Sequence, residues 1–149
     1  MRSPQTARRW IWAALAVQLG GLVHDAVWHG LLHPGVEPQT RREMVAHLVT
    51  VHLPLYIGVL SVFVTTVWAF AEAMRRSRAG VAWWVALAGA LLSTVGEASH
   101  AVMHLQLDAH AGAVAGSLSP IGLLLVAAAT WRAREPSSRA ADRDHRRAA

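Results

Sequence analysis

The chain carries nine histidines, and their placement is the first sign of chemistry. His24, His29, His33, His47, His52, His100, His104 and His110 fall in three groups, leaving only His145 near the C-terminus. Carboxylates accompany each group: Asp25 in the first, Glu43 in the second, Glu97 and Asp108 in the third. There is no cysteine, which removes thiol nucleophiles, disulfides, zinc ribbons and Fe–S clusters. Metal or acid–base chemistry must then rest on imidazole, carboxylate, hydroxyl or backbone. Imidazole with carboxylate is a donor set that suits iron, zinc, copper or manganese.

Spacing places these groups on shared faces. Glu97, His100, His104 and Asp108 follow 3-4-4 steps, so a helix projects all four along one stripe. Asp25, His29 and His33 follow 4-4 steps, and Glu43 and His47 stand four apart. His24 and His52 are each five residues from a neighbouring histidine, about 140° round the helix from it. They reach a common centre only from the flank, or through a distortion near Pro54. The Glu97–His100 pair has the Glu-x-x-His spacing of carboxylate-bridged di-iron bundles, but those use it twice and here it occurs once.

The elements that must hold these side chains are long and apolar. The 149 residues are 54% hydrophobic and 15% charged, against about 25% charged in an ordinary soluble domain. A soluble globular enzyme is therefore not expected. Four stretches reach the roughly 20 residues that a helix needs to cross a hydrocarbon core: about 10–32, 44–73, 81–107 and 111–131. Short connectors make them neighbours, and the fold class expected is all-α. The simplest arrangement is an integral-membrane up-down-up-down four-helix bundle over 10–131, between a tail at 1–9 and a disordered Arg-rich tail at 132–149. Thr40 and Glu43 form a capping-box pattern ahead of the second stretch, and Ser119-Pro120 invites a kink in the fourth.

All fourteen basic residues are arginine, and the net charge is +5. They flank the apolar stretches, which speaks against a nucleic-acid partner. Arg2, Arg8, Arg9, Arg75, Arg76, Arg78 and the six arginines after Trp131 belong to one side, and only Arg41 and Arg42 to the other. The positive-inside rule then puts both termini in the cytoplasm and Trp10, Trp12, Trp83, Trp84 and Trp131 near that interface. The histidine groups all fall in the extracytoplasmic half of a multi-pass protein of the cell membrane. At 1.5 Å rise per residue, His24, His52, Glu97 and His100 lie roughly 10–15 Å below the outer boundary, with His29, His47 and His104 about a turn above them.

Ionisable residues within hydrocarbon are costly and normally face the bundle interior with partners. Bound metal would offset the charges of Asp25 and Glu97. The expected ligands are His24, Asp25, His29, His47, His52, Glu97, His100 and His104, with Asp25 and Glu97 also placed as bridging or proton-accepting catalytic groups. Eight donors over-supply one ion and suit two, iron being favoured and copper or zinc possible. The reading that follows is a non-haem membrane metalloenzyme with oxygen-activating oxidoreductase chemistry on a hydrophobic or small-molecule substrate. Two alternatives carry weight: a b-type haem protein using two facing histidines, and a metal-binding or transport subunit. The bilayer is the expected surrounding, with a homo-oligomer or a partner membrane subunit as further expectations.

Overall fold

The computed structural model describes residues 4–77 and 79–133, and all of their regular structure is helical. Arg78, the terminal segments 1–3 and 134–149, which include His145, and the side chain of His110 lie outside the described residues, while residues 4–9 of the expected N-terminal tail are helical, as the start of α1. Four helical stretches are long and apolar enough to cross a membrane: Thr6–Leu32, Leu53–Arg75, Val81–Leu105 and Val114–Arg132.

α1 spans Pro4–Val27 and runs directly into a π-helical turn at Trp28–Leu32. The His33 N–H donates to Trp28 O at 2.9 Å, five residues back, which widens the helix there. A loop with Gly35 at φ 74°, a left-handed conformation open to glycine, leads to α2, Arg41–Thr50. The capping box at its start is formed: the Glu43 N–H donates to Thr40 Oγ1 at 3.2 Å, and Glu43 Oε2 accepts from Thr40 N–H at 3.2 Å. Such a cap contributes about 1 kcal/mol to the first turn.

The second apolar stretch departs from the single helix expected over 44–73. It folds as α2 and α3, Leu53–Arg75, joined at Val51 and His52. Pro54 explains the break: it lacks an N–H and is tolerated within the first helical turn, so it starts α3 and cannot continue α2. α4 is Val81–Leu105. The fourth stretch is also divided, into α5, Ala109–Gly116, and α6, Leu118–Arg132. The division falls at Ser117, upstream of Pro120, which sits in the first turn of α6.

Helix pairing follows the small residues. A Cβ on Gly21 would lie 2.5 Å from Leu55 Cα, and one on Gly58 would collide with the backbone of Gln18. α1 and α3 therefore pack backbone against backbone. α4 and α6 do the same, because a Cβ on Gly89 would lie 2.8 Å from Gly122 O and one on Gly122 would lie 2.6 Å from Ser93 N. Glycine at these positions is what lets the helix backbones come into direct van der Waals contact. Contacts of α3 with α4 and of α1 with α6 bring the two pairs together around Ile11, Leu15, Val62, Ala90 and Val126.

Aromatic pairs mark one end. Trp12 meets Trp131 edge-on with ring centroids 6.2 Å apart, and Phe70 meets Trp84 at 4.6 Å. Beside them, Glu72 is paired with both Arg75 and Arg76, as i,i+3 and i,i+4 spacing allows.

Candidate metal centre

Five histidines converge where the C-terminal end of α1, the joint between α2 and α3, and the C-terminal end of α4 meet. His52 is at the middle and fully buried. Its ring centroid lies 5.7 Å from His29, 5.1 Å from His47, 5.2 Å from His100 and 5.4 Å from His104. His29 and His47 approach with their Nε2 atoms 3.3 Å apart, and the rings of His100 and His104 are 4.3 Å apart. Among the described residues, two sets of three have donor atoms close enough to share an ion, His29/His47/His52 and His52/His100/His104, with His52 common to both.

The break after α2 is what makes this possible. In an unbroken helix His47 and His52 diverge by about 140°; at the joint both rings turn to the same centre. The π-helical turn similarly begins just before His29 and ends just before His33. His33 goes elsewhere, stacked on Trp28 at 3.8 Å.

The carboxylates differ in position. Asp25 Oδ1 lies 3.1 Å from His52 Nδ1 and 3.7 Å from His29 Nε2, touching the cluster directly. Glu97 is buried to 3% exposure one turn below His100 and accepts a hydrogen bond from Ser119. Both it and Asp25 line a cavity of about 420 Å³ together with all five histidines. Its remaining wall is largely apolar, including Leu22, Met44, Leu55, Leu107 and Pro120.

Polar atoms in this cavity are short of partners. Both ring nitrogens of His52, Nε2 of His100, Nδ1 of His104, Oδ1 of Asp25 and Oε1 of Glu97 are buried without a hydrogen bond. Buried polar atoms are normally satisfied, so such a concentration points to a ligand. His100 is the best prepared: its Nδ1 lies 2.7 Å from Gly112 O, so it donates there and leaves Nε2 with its lone pair free. Burial holds His47 below the usual imidazole range, aided by neighbouring His29. Burial, with His100 the foremost of the imidazoles around it, brings His52 down to about 3. Neutral rings are the form that coordinates metal.

Seven of the eight expected ligands, Asp25, His29, His47, His52, Glu97, His100 and His104, thus line one cavity. His24 does not: it is exposed on the far side of α1, and no distortion of that helix turns it inward. Glu43 is an exposed capping residue, and Asp108 is exposed beyond the end of α4.

Several polar residues of the site escape a reading based on ligand type. Gln18 Nε2 donates to Ser93 Oγ at 2.6 Å and approaches Ser119 Oγ at 3.3 Å, joining α1, α4 and α6 beneath Glu97. A glutamine within an apolar run was the available signal. Tyr56 stacks on His52 at 6.0 Å, one turn along α3. Gly112 and Gly116 leave room for His100; a Cβ on Gly116 would lie 2.7 Å from its Nδ1.

Comparisons of the chain with protein-family models, with curated proteins and with solved structures return no match. The donor set itself therefore defines the class: a helical protein with four potential membrane spans and buried histidine groups able to hold a metal ion.

Proposed function

We propose that this protein is a multi-pass membrane metalloenzyme whose centre is a non-haem, His-rich site able to take two ions. The carrying observation is that fully buried His52 belongs to two separate histidine triads while neither of its nitrogens makes a hydrogen bond, Nδ1 facing only the Asp25 carboxylate at 3.1 Å. Asp25 and Glu97 both line the histidine cavity and would balance metal charge or accept protons from a substrate. Transition metals held there would supply Lewis acidity and, for iron or copper, one-electron chemistry towards dioxygen. A cavity of about 420 Å³ has the size of a small-molecule site, and its apolar walls suit a hydrophobic or small substrate. Arginine asymmetry supports a topology with both termini in the cytoplasm and the centre towards the extracytoplasmic side.

The crowding around His52 favours compact ions over haem. Four imidazoles stand within 5.7 Å of its ring, in the space that a macrocycle would have to occupy. A carrier or channel would need donors stepping through the whole span; here they gather at one end.

Elemental mass spectrometry of the protein purified in detergent tests the proposal. One to two equivalents of iron, copper or zinc are expected, falling sharply in His52→Ala and remaining at the parent level in His24→Ala. A well-folded protein that neither contains nor takes up metal would overturn it. Unchanged metal in His52→Ala would overturn the assignment of the ligands.

A further inference from the structure

A second cavity, of about 360 Å³, lies between α3 and α4. Its walls are mostly apolar: Val59, Leu60, Ala98 and Ala101 with Tyr56. Glu97 lines it as well as the histidine cavity, so the two spaces border the same residue. Leu60 is 61% exposed and Ala98 is exposed, so this groove opens outward across the face of two potential membrane spans.

Two polar atoms mark its inner end. Glu97 is 3% exposed, with Oε1 lacking a hydrogen bond. The Tyr56 hydroxyl is also buried and unpartnered. Apolar walls closing on two unsatisfied hydrogen-bonding groups are the construction of a site for an amphipathic molecule. The phenol can donate, and the carboxyl can accept.

We infer that the groove between α3 and α4 binds an alkyl chain ending in a hydroxyl, with the hydroxyl held between Tyr56 and Glu97 and the chain along Val59, Leu60, Ala98 and Ala101. The inference rests on the metalloenzyme reading for its meaning, since it names the substrate class and the route: laterally from the lipid, hydroxyl end first, to the carboxyl that borders the histidine cavity. The small side chains of Ala98 and Ala101, one turn apart by 3.6-residue periodicity, open the path on α4. The affinity of the groove itself depends only on residues of this chain and can be read without metal.

Photolabelling with a saturated long-chain alcohol carrying a diazirine, followed by mapping of the modified peptides, provides the test. On both metal-loaded and metal-stripped protein, labelling should fall on α3 and α4 at the groove and be competed by unmodified alcohol. It should fall at least several-fold in Ala101→Trp, which fills the groove from the side of α4, and in the milder pair Tyr56→Phe and Glu97→Gln. Circular dichroism and metal content should confirm that Ala101→Trp stays folded. A hydrocarbon probe of equal length without the hydroxyl should label α3 and α4 much more weakly. Equal labelling by the two probes, or labelling indifferent to all three substitutions, would overturn the inference while leaving the metal centre standing. Competed groove labelling in a protein that takes up no metal would instead sink the metalloenzyme reading and leave a lipid-alcohol site.

Discussion

Replacing Gly21 by alanine should damage the metal centre without touching any ligand. The added Cβ would lie 2.5 Å from Leu55 Cα, 2.7 Å from Leu55 N and 2.9 Å from Pro54 C, all backbone atoms that no rotamer change can move aside. Ordinary carbon contacts need about 3.5 Å or more, so α3 must retreat from α1 by roughly 1 Å at this point. Leu55 is three residues from His52, whereas Asp25 and His29 stand on the α1 side of the contact. The 3.1 Å approach of His52 to Asp25 and the 5.7 Å ring separation from His29 both open as the helices part. Overpacking of this kind costs about 1–3 kcal/mol of stability. A ligand displaced by about 1 Å from productive geometry should weaken metal binding at least tenfold, the scale at which supporting contacts of a metal site operate. Gly20→Ala is the internal control, because nothing lies within 4 Å of its added Cβ, and it should be neutral or stabilising by about 0.5–1 kcal/mol. The assay is a competition titration with a chromophoric chelator, run beside thermal unfolding in one detergent. Equal metal affinity and equal stability in the two variants would refute the claim that the α1–α3 glycine contact sets the geometry of the site.

Gly116→Ala should act on the other half of the centre. Its Cβ, 2.7 Å from His100 Nδ1, would push the ring off Gly112 O and lower metal affinity about tenfold, measurable by the same titration. Gln18→Leu should change stability by less than about 1 kcal/mol, because it removes an amide whose Oε1 is already unpartnered, and Ser93 and Ser119 remain 3.3 Å apart; thermal unfolding reads this. Metal-stripped protein should be most stable above the ordinary imidazole range and lose stability as pH falls from about 6.5 towards 3. His52 is held at about 3 when folded, so between these values the unfolded chain binds more protons. Unfolding scans between pH 8 and pH 4.5 should show that slope, and His52→Asn should make it shallower, His47 supplying part of what remains.

Much of this arrangement was legible in residue types. Four apolar stretches announce four potential spans, the Thr40–Glu43 box was visible as a pattern, and the 3-4-4 steps from Glu97 foretold a stripe. The two five-residue offsets were the ambiguous feature, and the structure resolves them in opposite ways. His52 comes inward because Pro54 restarts the helix behind it; His24 stays outside because α1 remains regular through Val27. Periodicity assumes an unbroken helix and cannot by itself choose between those outcomes. The partners of Gly21, Gly58, Gly112 and Gly116 were beyond its reach for another reason. A glycine in an apolar run says that something comes close, and only the tertiary pairing says what. Glu97 facing two cavities at once is likewise a property of how α3 meets α4.

The glycine contacts divide the molecule into two stiff units, α1 with α3 and α4 with α6. His29, His47 and His52 belong to the first unit or to α2 at its end, and His100 and His104 to the second. An ion shared by His52, His100 and His104 would therefore act as a clasp across the seam between two rigid halves. Below the clasp the hydrogen bonds of Gln18 to Ser93 and Ser119 cross the same seam, a weak tie beside metal–imidazole bonds. Metal occupancy would then set how far the halves can part at the histidine end.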